Sequence, residues 1–478
     1  MALQFIDQGA KGIGSSERRI IRSHVMKGKN AGRPRKSTRK QTSIVHVKRV
    51  LTSTGIPGSG YSNPQQLLWN DLSLITFHEQ LDSESTKLMH RWFFDISDTL
   101  FPPQFCSKFD MVKSIWVNCI LVDEAYFHST LAVSASYIDF FERKPEISSK
   151  TLYHISKAYA LVNLKLSGPE SISDSAIAAV ITLAIYQQVH HQHATGLIHL
   201  NGLYRMIQLR GGIARLMKEN RLLALKSLRL DIELALETGS PLFRSDIVPV
   251  NTVSGDLRVI KQQLPSTAPK ISHVMLDVVN FSSLLNSRER EGGTKLDPLN
   301  YAEMLISLLY RLIEVTPLGQ PPSVSGEVHG EVGPLAMLAF MTTLLPEYVR
   351  GQSGYFFLSN RLESAIRDLH ATCADSQDSR LSILLFWALF ISGISVLKPK
   401  DDPWLLLDIL EASERQDLHD WSAVHHQLCE LPWIHTLHDL PGRCLWEDAQ
   451  RRGTMISLEL LQNLRKSDQG GLHPRDCL

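Results

Sequence analysis

The six cysteines of the chain are scattered, and no two of them lie closer than 13 positions apart. They are Cys106, Cys119, Cys373, Cys429, Cys444 and Cys477. This scatter excludes every zinc-binding motif built on CxxC spacing. In a protein of the cell interior it indicates buried or free thiols, and it argues against a disulfide framework.

The chain also shows little sign of a secretory signal or of a membrane-spanning segment. Residues 1–14 include Gln4, Asp7, Gln8 and Lys11 and never form the apolar core of a secretory signal, so we expect the protein to stay inside the cell. Residues 381–397 (LSILLFWALFISGISVL) lack charge, but they are at the short limit for a span and include three serines and a glycine. A buried core helix is favoured over a membrane helix for this segment.

Motifs of several large enzyme classes are missing. The sequence has no glycine-rich loop followed by Lys and Ser or Thr, no GxSxG nucleophile motif and no GxGxxG. His78 and Glu79 do not begin an HExxH zinc motif, because Asp82 stands where the second histidine belongs. We therefore predict a protein that is not an enzyme, with no cofactor, while a helical enzyme with an unrecognised site stays an open alternative.

Two histidine-rich stretches were considered as metal sites. His190, His191, His193 and His199 form the densest cluster, but no acidic or cysteine ligand lies one helical turn from them. His425, His426 and Cys429 offer helical spacing for two or three ligands, and the sequence shows no fourth. For both stretches we favour ordinary packing and predict no metal.

Basic and acidic residues are distributed very unevenly along the sequence. Residues 1–50 hold thirteen Lys and Arg against two acidic residues, a formal charge of +11. The whole chain has 50 basic and 49 acidic residues, so the remaining 428 residues carry −10. Such asymmetry indicates a basic arm, for polyanion binding or nuclear import, attached to a separately folded body.

The rest of the chain is predicted to be all-α, a large helical bundle for which an arrangement in two lobes stays open. Apolar residues recur at helical spacing, and long alternating strand patterns are hard to find. We divide the chain into a disordered basic arm (1–50), a flexible Gly/Ser/Pro-rich linker (51–66) and a helical body (67–478). Helices are predicted at about 84–100, 122–143, 149–166, 172–190, 195–210, 218–237, 269–287, 298–315, 333–349, 357–373, 380–397, 403–415 and 421–430.

Within the arm, Gly32-Arg33-Pro34-Arg35-Lys36 is similar to the core of an AT-hook, which places arginines in the narrow minor groove of A·T-rich DNA. Ala31 stands where such a motif normally has a cation before the glycine. A nuclear import signal is favoured, and an auxiliary DNA contact and an inert tail stay open. The candidate residues for import or nucleic-acid binding are Arg18, Arg19, Arg22, Lys27, Lys29, Arg33, Arg35, Lys36, Arg39 and Lys40.

Several stretches together resemble fungal-specific transcription factors, whose regulatory body usually follows a zinc cluster of six cysteines. They are ERRIIRSHVM (17–26), FHSTLAVSASYIDFF (127–141), SISDSAIAAVITLA (171–184), HLNGLYRMIQLRGGI (199–213) and LPWIHTLHDLPGRCLW (431–446). Arg22, His24, Arg210, Gly211 and Gly212 are family-like positions with no chemical role assigned. The six cysteines depart from the family pattern, because they cannot form its compact N-terminal cluster.

The resemblance implies a nuclear regulator of transcription with an all-α regulatory domain, often for metabolic or secondary-metabolite genes. We expect it to act with the transcription machinery or other regulators and not at a membrane. A homodimer, a heterodimer and DNA contacts through the arm stay open. The alternative is a small-molecule-sensing or partner-binding regulatory protein that does not bind DNA directly.

Overall fold

Apolar residues at helical spacing form helices throughout the described part of the chain, which confirms the predicted all-α class. The structure is a computed structural model, and it describes residues 83–91, 100–109, 115–141, 147–243, 269–289, 293–320, 330–345, 355–376, 378–399 and 403–469. In chain order the helices are α1 (Ser83–Arg91), α2 (Ile115–Val122), α3 (Glu124–Phe141), α4 (Ser149–Leu166), α5 (Asp174–Val189), α6 (His193–Leu209), α7 (Ile213–Glu219), α8 (Arg221–Thr238), α9 (Pro269–Glu289), α10 (Pro298–Val315), α11 (Val332–Thr342), α12 (Phe356–Asp375), α13 (Ser379–Ser395), α14 (Pro403–Arg415), α15 (Trp421–Leu428) and α16 (His435–Gln469).

Three helices with little polar surface form the centre of the bundle. Every residue of α5 from Ala176 to Val189 is buried, because α3, α6 and α8 pack around it. All of α11 is buried, and so is α13 from Leu384 to Ser392. The segment without charge at 381–397 is therefore a core helix, as predicted, and no helix of the described residues is long and apolar enough to cross a membrane.

Several helix starts are fixed by short polar side chains that accept backbone N–H groups. Ser173 caps α5 by accepting from the N–H of Ala176 at 3.3 Å, so the helix begins two residues later than predicted. The predicted helix 218–237 is two helices, α7 and α8. Asn220 separates them, because its backbone is extended and its side chain caps α8 through the N–H of Leu223.

Two helices, α2 and α16, were not predicted. The long helix α16 contains Pro441, which lacks an N–H and ordinarily ends a helix. Here Pro441 lies in the second turn, and the helix continues through it. The turn before α16 is anchored to the core, since Trp387 of α13 donates its indole N–H to the carbonyl of Pro432 at 3.0 Å and Trp433 is buried.

Residues Thr76–Leu478 form one compact unit, so the body is not divided into the two lobes that the sequence left open. The basic arm and the linker lie outside the described residues. Their predicted disorder stays a prediction.

Candidate functional site

A largely apolar cavity lies between α5, α8 and α10, and α2, α3 and the segment 100–109 complete its wall. The empty space between these elements is about 730 Å³, which includes space open to solvent. The lining residues are Leu100, Phe101, Phe109, Trp116, Tyr126, Ile181, Thr182, Ile185, Leu222, Leu225, Lys226, Arg229, Leu299, Ala302 and Ile306.

The cavity exists because central helices expose apolar side chains to it. Ile181 and Ile185 come from α5, which is apolar on every side, and Ile306 comes from the buried face of α10. Thr182 adds little polarity, since its hydroxyl donates to the carbonyl of Ala178 in its own helix at 2.9 Å. A ligand would meet a hydrocarbon surface on these two sides.

Aromatic rings form another part of the wall. The rings of Phe101 and Phe109 lie 4.7 Å apart, and those of Trp116 and Tyr126 lie 6.1 Å apart. The segment with the two phenylalanines is tied to the residues before α10, because the Leu296 N–H donates to the Phe105 carbonyl at 2.9 Å. The aromatic wall is therefore held in place by backbone pairing.

Two cations of α8 are the charged groups of the described lining. Arg229 donates to Glu233 at 2.7 Å, so its charge is paired within the helix. Lys226 has no ion pair or side-chain hydrogen bond with any residue that the structure describes. Its charge is therefore not balanced by a direct partner among them.

The environment of Lys226 disfavours its charged form. Burial, and then the positive charge of Arg229, lower the pKa of Lys226 from 10.5 to about 7, and Glu233 opposes this effect. The side chain keeps some accessible surface because the cavity is open, yet protein atoms crowd around the amine.

A largely apolar cavity with one amine that has no direct partner among the described residues suits a ligand that has an apolar body and an anionic group. A lysine with a lowered pKa can also act as a nucleophile. However, the described lining has no carboxylate and no histidine to serve as general acid or base.

The cavity lies within the part of the chain that matches a protein-family model. A family model described as fungal specific transcription factor domain matches residues 87–426. The chain belongs to this family. Comparisons with curated proteins and with solved structures gave no match. The family is one of transcription factors and not of enzymes, which identifies the helical body as part of a transcription regulator and confirms the resemblance seen in the sequence.

The candidate residues that the sequence placed in the arm of this transcription regulator all precede Ser83 and lie outside the described residues. The structure therefore does not test Arg18, Arg19, Arg22, Lys27, Lys29, Arg33, Arg35, Lys36, Arg39 and Lys40. Their role in import or DNA binding stays a prediction.

The histidine cluster after α5 does not converge on a common point. His190 contacts the hydroxyl of Ser136 at 2.9 Å, and His199 is buried against the Tyr159 ring with its pKa lowered by burial to about 4. Among the described residues, no metal-ligand group includes any of these histidines.

The family-like Arg210-Gly211-Gly212 ends α6, as the sequence indicated. Both glycines have positive φ, 108° and 89°, which glycine adopts without a Cβ clash. Arg210 also pairs with Asp174 in the first turn of α5 and with Glu219 of α7. The sequence suggested only a favourable place at the helix end, and the structure adds this link between three helices.

Proposed function

We propose that the protein is a nuclear regulator of transcription in which a helical regulatory body is joined to a basic N-terminal arm. The charge separation carries this proposal: +11 in residues 1–50 and −10 in the rest, on a chain that belongs to a transcription factor family. The arm supplies nuclear import and a salt-sensitive contact with DNA. Partners among the transcription machinery or other regulators, including a dimeric one, bind the body, and metabolic or secondary-metabolite genes are the proposed targets.

The import role is tested with the full chain fused to a fluorescent protein. Replacing the ten candidate cations of the arm by Gln should move the fusion from the nucleus to the whole cell. A matched variant with ten exposed Lys and Arg of the body replaced should stay nuclear. Nuclear accumulation of the arm variant would contradict the import role.

The DNA role is tested by binding of the full chain and the arm variant to A·T-rich and G·C-rich duplexes across a salt series. Phosphate contacts by the arm predict that log affinity falls with log salt at a slope of about −0.9 for each contact. Minor-groove insertion of Arg33 and Arg35 predicts preference for the A·T-rich duplex. Equal binding by both proteins would show that the arm does not contribute to DNA binding.

A second candidate function is small-molecule sensing through the cavity, and Lys226, which has no ion pair with a described residue and lies in a largely apolar wall, favours it. The effector class is an organic anion with an apolar body, such as a carboxylate with an alkyl or aryl chain. The carboxylate of such a ligand would pair with the ammonium of Lys226, and its apolar body would displace water from the aromatic wall. A neutral compound lacks the first interaction, and a fully polar compound lacks the second.

Thermal shift of the full chain with a panel of alkyl and aryl carboxylates tests this function. Carboxylates should raise the melting temperature, while the matching primary amides and short polar acids should not. Lys226→Met should lose the difference between acid and amide. An acid series that fails to stabilise the wild type, or acts equally on the variant, would refute sensing at this cavity and leave the regulator proposal intact.

A further inference from the structure

Four metal-ligating side chains that are separate in sequence meet at the junction of α15 and α16. His425 and Cys429 lie four residues apart at the end of α15, so they share one helical face. His435 and Asp439 have the same spacing in the first turns of α16. The second pair supplies ligands that could not be identified from the sequence of α15 alone.

The nitrogen and sulfur atoms that would bind a metal are already close to one another, and Asp439 Oδ1 contacts both histidines. His425 Nε2 lies 3.8 Å from Cys429 Sγ and 2.9 Å from Asp439 Oδ1, and His435 Nδ1 lies 3.4 Å from the same oxygen. The ligand atoms of the two histidines and the cysteine all lie within 4.8 Å of one another. Tetrahedral zinc with bonds of about 2.0 Å to N and O and about 2.3 Å to S separates its ligands by roughly 3.3 to 3.5 Å.

We propose that His425, Cys429, His435 and Asp439 form a zinc site that joins α15 to α16. Two histidines, one cysteine and one carboxylate are ligands that Zn²⁺ binds in proteins. A thiolate and a carboxylate together neutralise the charge of the ion. Because the protein supplies four ligands, no open position is left for a substrate, and the site is structural.

The surroundings of the cluster support ligation. Trp433 donates its indole N–H to Asp439 Oδ1 at 2.7 Å, the type of contact that orients a ligating carboxylate. The side chain of Asn286 from α9 donates to the Trp433 carbonyl at 2.7 Å and accepts from the His435 N–H at 3.2 Å. The turn that brings α16 back against α15 is thus held before any metal arrives.

Two acidic residues at the cluster attract a divalent cation, because Asp439 is one of the ligands and Glu430 follows Cys429 directly in the chain. Binding of zinc by the cysteine releases its thiol proton. Three of the four ligands lie beyond residue 426, where the family match ends.

Titration of the full chain with Co²⁺ and Zn²⁺ tests the proposal. We expect one equivalent of Co²⁺ to give the visible bands of tetrahedral cobalt together with a thiolate charge-transfer band in the near ultraviolet, and Zn²⁺ to displace it. Cys429→Ser should abolish the charge-transfer band. Cys429→Ser and His435→Gln should each weaken zinc binding by about tenfold or more.

Two neighbouring residues provide matched controls. Cys444 is the other exposed cysteine of this region, and His426 is exposed beside His425. Cys444→Ser and His426→Gln should leave the spectrum and the affinity unchanged, and circular dichroism confirms that each variant is folded. Absence of the charge-transfer band in the wild type, or equal zinc affinity in the wild type and Cys429→Ser, would overturn the proposal without involving the arm or the cavity.

Discussion

Replacing Lys226 by Met is expected to stabilise the ligand-free protein. Lowering the pKa from 10.5 to about 7 corresponds to about 5 kcal/mol, at about 1.4 kcal/mol for each pH unit. This is an upper bound, because the open cavity admits water that solvates the amine. We expect a gain of about 2 to 4 kcal/mol at pH 7, where the folded protein has begun to lose the proton that the unfolded chain keeps.

The pH dependence follows from the sign of the pKa change. Between pH 7 and about 10.5 the unfolded chain holds a proton on Lys226 that the folded protein has released, so wild-type stability rises with pH across this range. The advantage of Lys226→Met should therefore be largest at and below pH 7 and should shrink toward pH 10. Arg229 and Glu233 are unchanged in the variant and do not produce this difference.

Thermal unfolding of both proteins between pH 6 and pH 10 provides the measurement. For a body of about 400 residues, 2 to 4 kcal/mol corresponds to a rise of about 2 to 5 °C in the melting temperature. Lys218→Met is the matched control, since Lys218 is exposed on α7 and its loss should change little. A variant that is less stable than the wild type at pH 7, or a gain that does not vary with pH, would refute the reasoning.

Three further predictions concern packing and buried charge. Gly239→Ala should cost about 2 to 4 kcal/mol in urea unfolding, because φ is +90° and the added Cβ would lie 2.8 Å from a neighbouring backbone atom. Tyr310→Phe should cost about 1.5 to 3 kcal/mol, because its hydroxyl donates to the buried carboxylate of Asp231 at 2.6 Å. Lys165→Met should destabilise the protein at pH 7 and reduce its loss of stability in acid. Burial raises the pKa of Asp123, but hydrogen bonds, of which the one from Lys165 has the largest effect, lower this pKa overall.

Each of these three predictions has a result that would contradict it. A cost below about 1 kcal/mol for Gly239→Ala would mean that the backbone moves aside freely. A double-mutant cycle of Tyr310→Phe with Asp231→Asn should show coupling, and additive effects would argue against the bond. The lowered pKa of Asp123 adds stability above its ordinary value of 3.8 that is lost as pH falls through the folded value, so an unchanged acid profile for Lys165→Met would exclude this pair as its source.

The sequence predicted elements well where local pattern and burial agree. α5 has no polar face, so a central position followed from its composition alone, and the structure buries it completely from Ala176. α16 was missed because Pro441 and Gly442 interrupt the pattern that marks a helix. Missing this helix also hid His435 and Asp439 as partners of the α15 pair.

The cavity could not be predicted, because it depends on how distant helices pack. Its lining comes from residues that span positions 100 to 306, and no short motif joins them. One local signal was present: Lys226 follows Leu225 and lies one helical turn from Leu222 and Leu230, so this lysine stands among leucines. Such a lysine is ordinarily solvated, and only the tertiary structure shows the wall around it.

The charge of the body bears on how the regulator reaches DNA. Residues 51–478 carry −10, which opposes approach to the phosphate backbone, and these residues contain no compact cysteine cluster to read a base sequence. In the proposed function, the attraction to DNA therefore comes from the arm or from a partner. If the arm supplies the attraction, the slope of log affinity against log salt reports the phosphate contacts of the arm alone, because a body that DNA repels releases no counterions from it. If a partner supplies it, the arm variant should keep promoter association in cells once an unrelated import signal is attached.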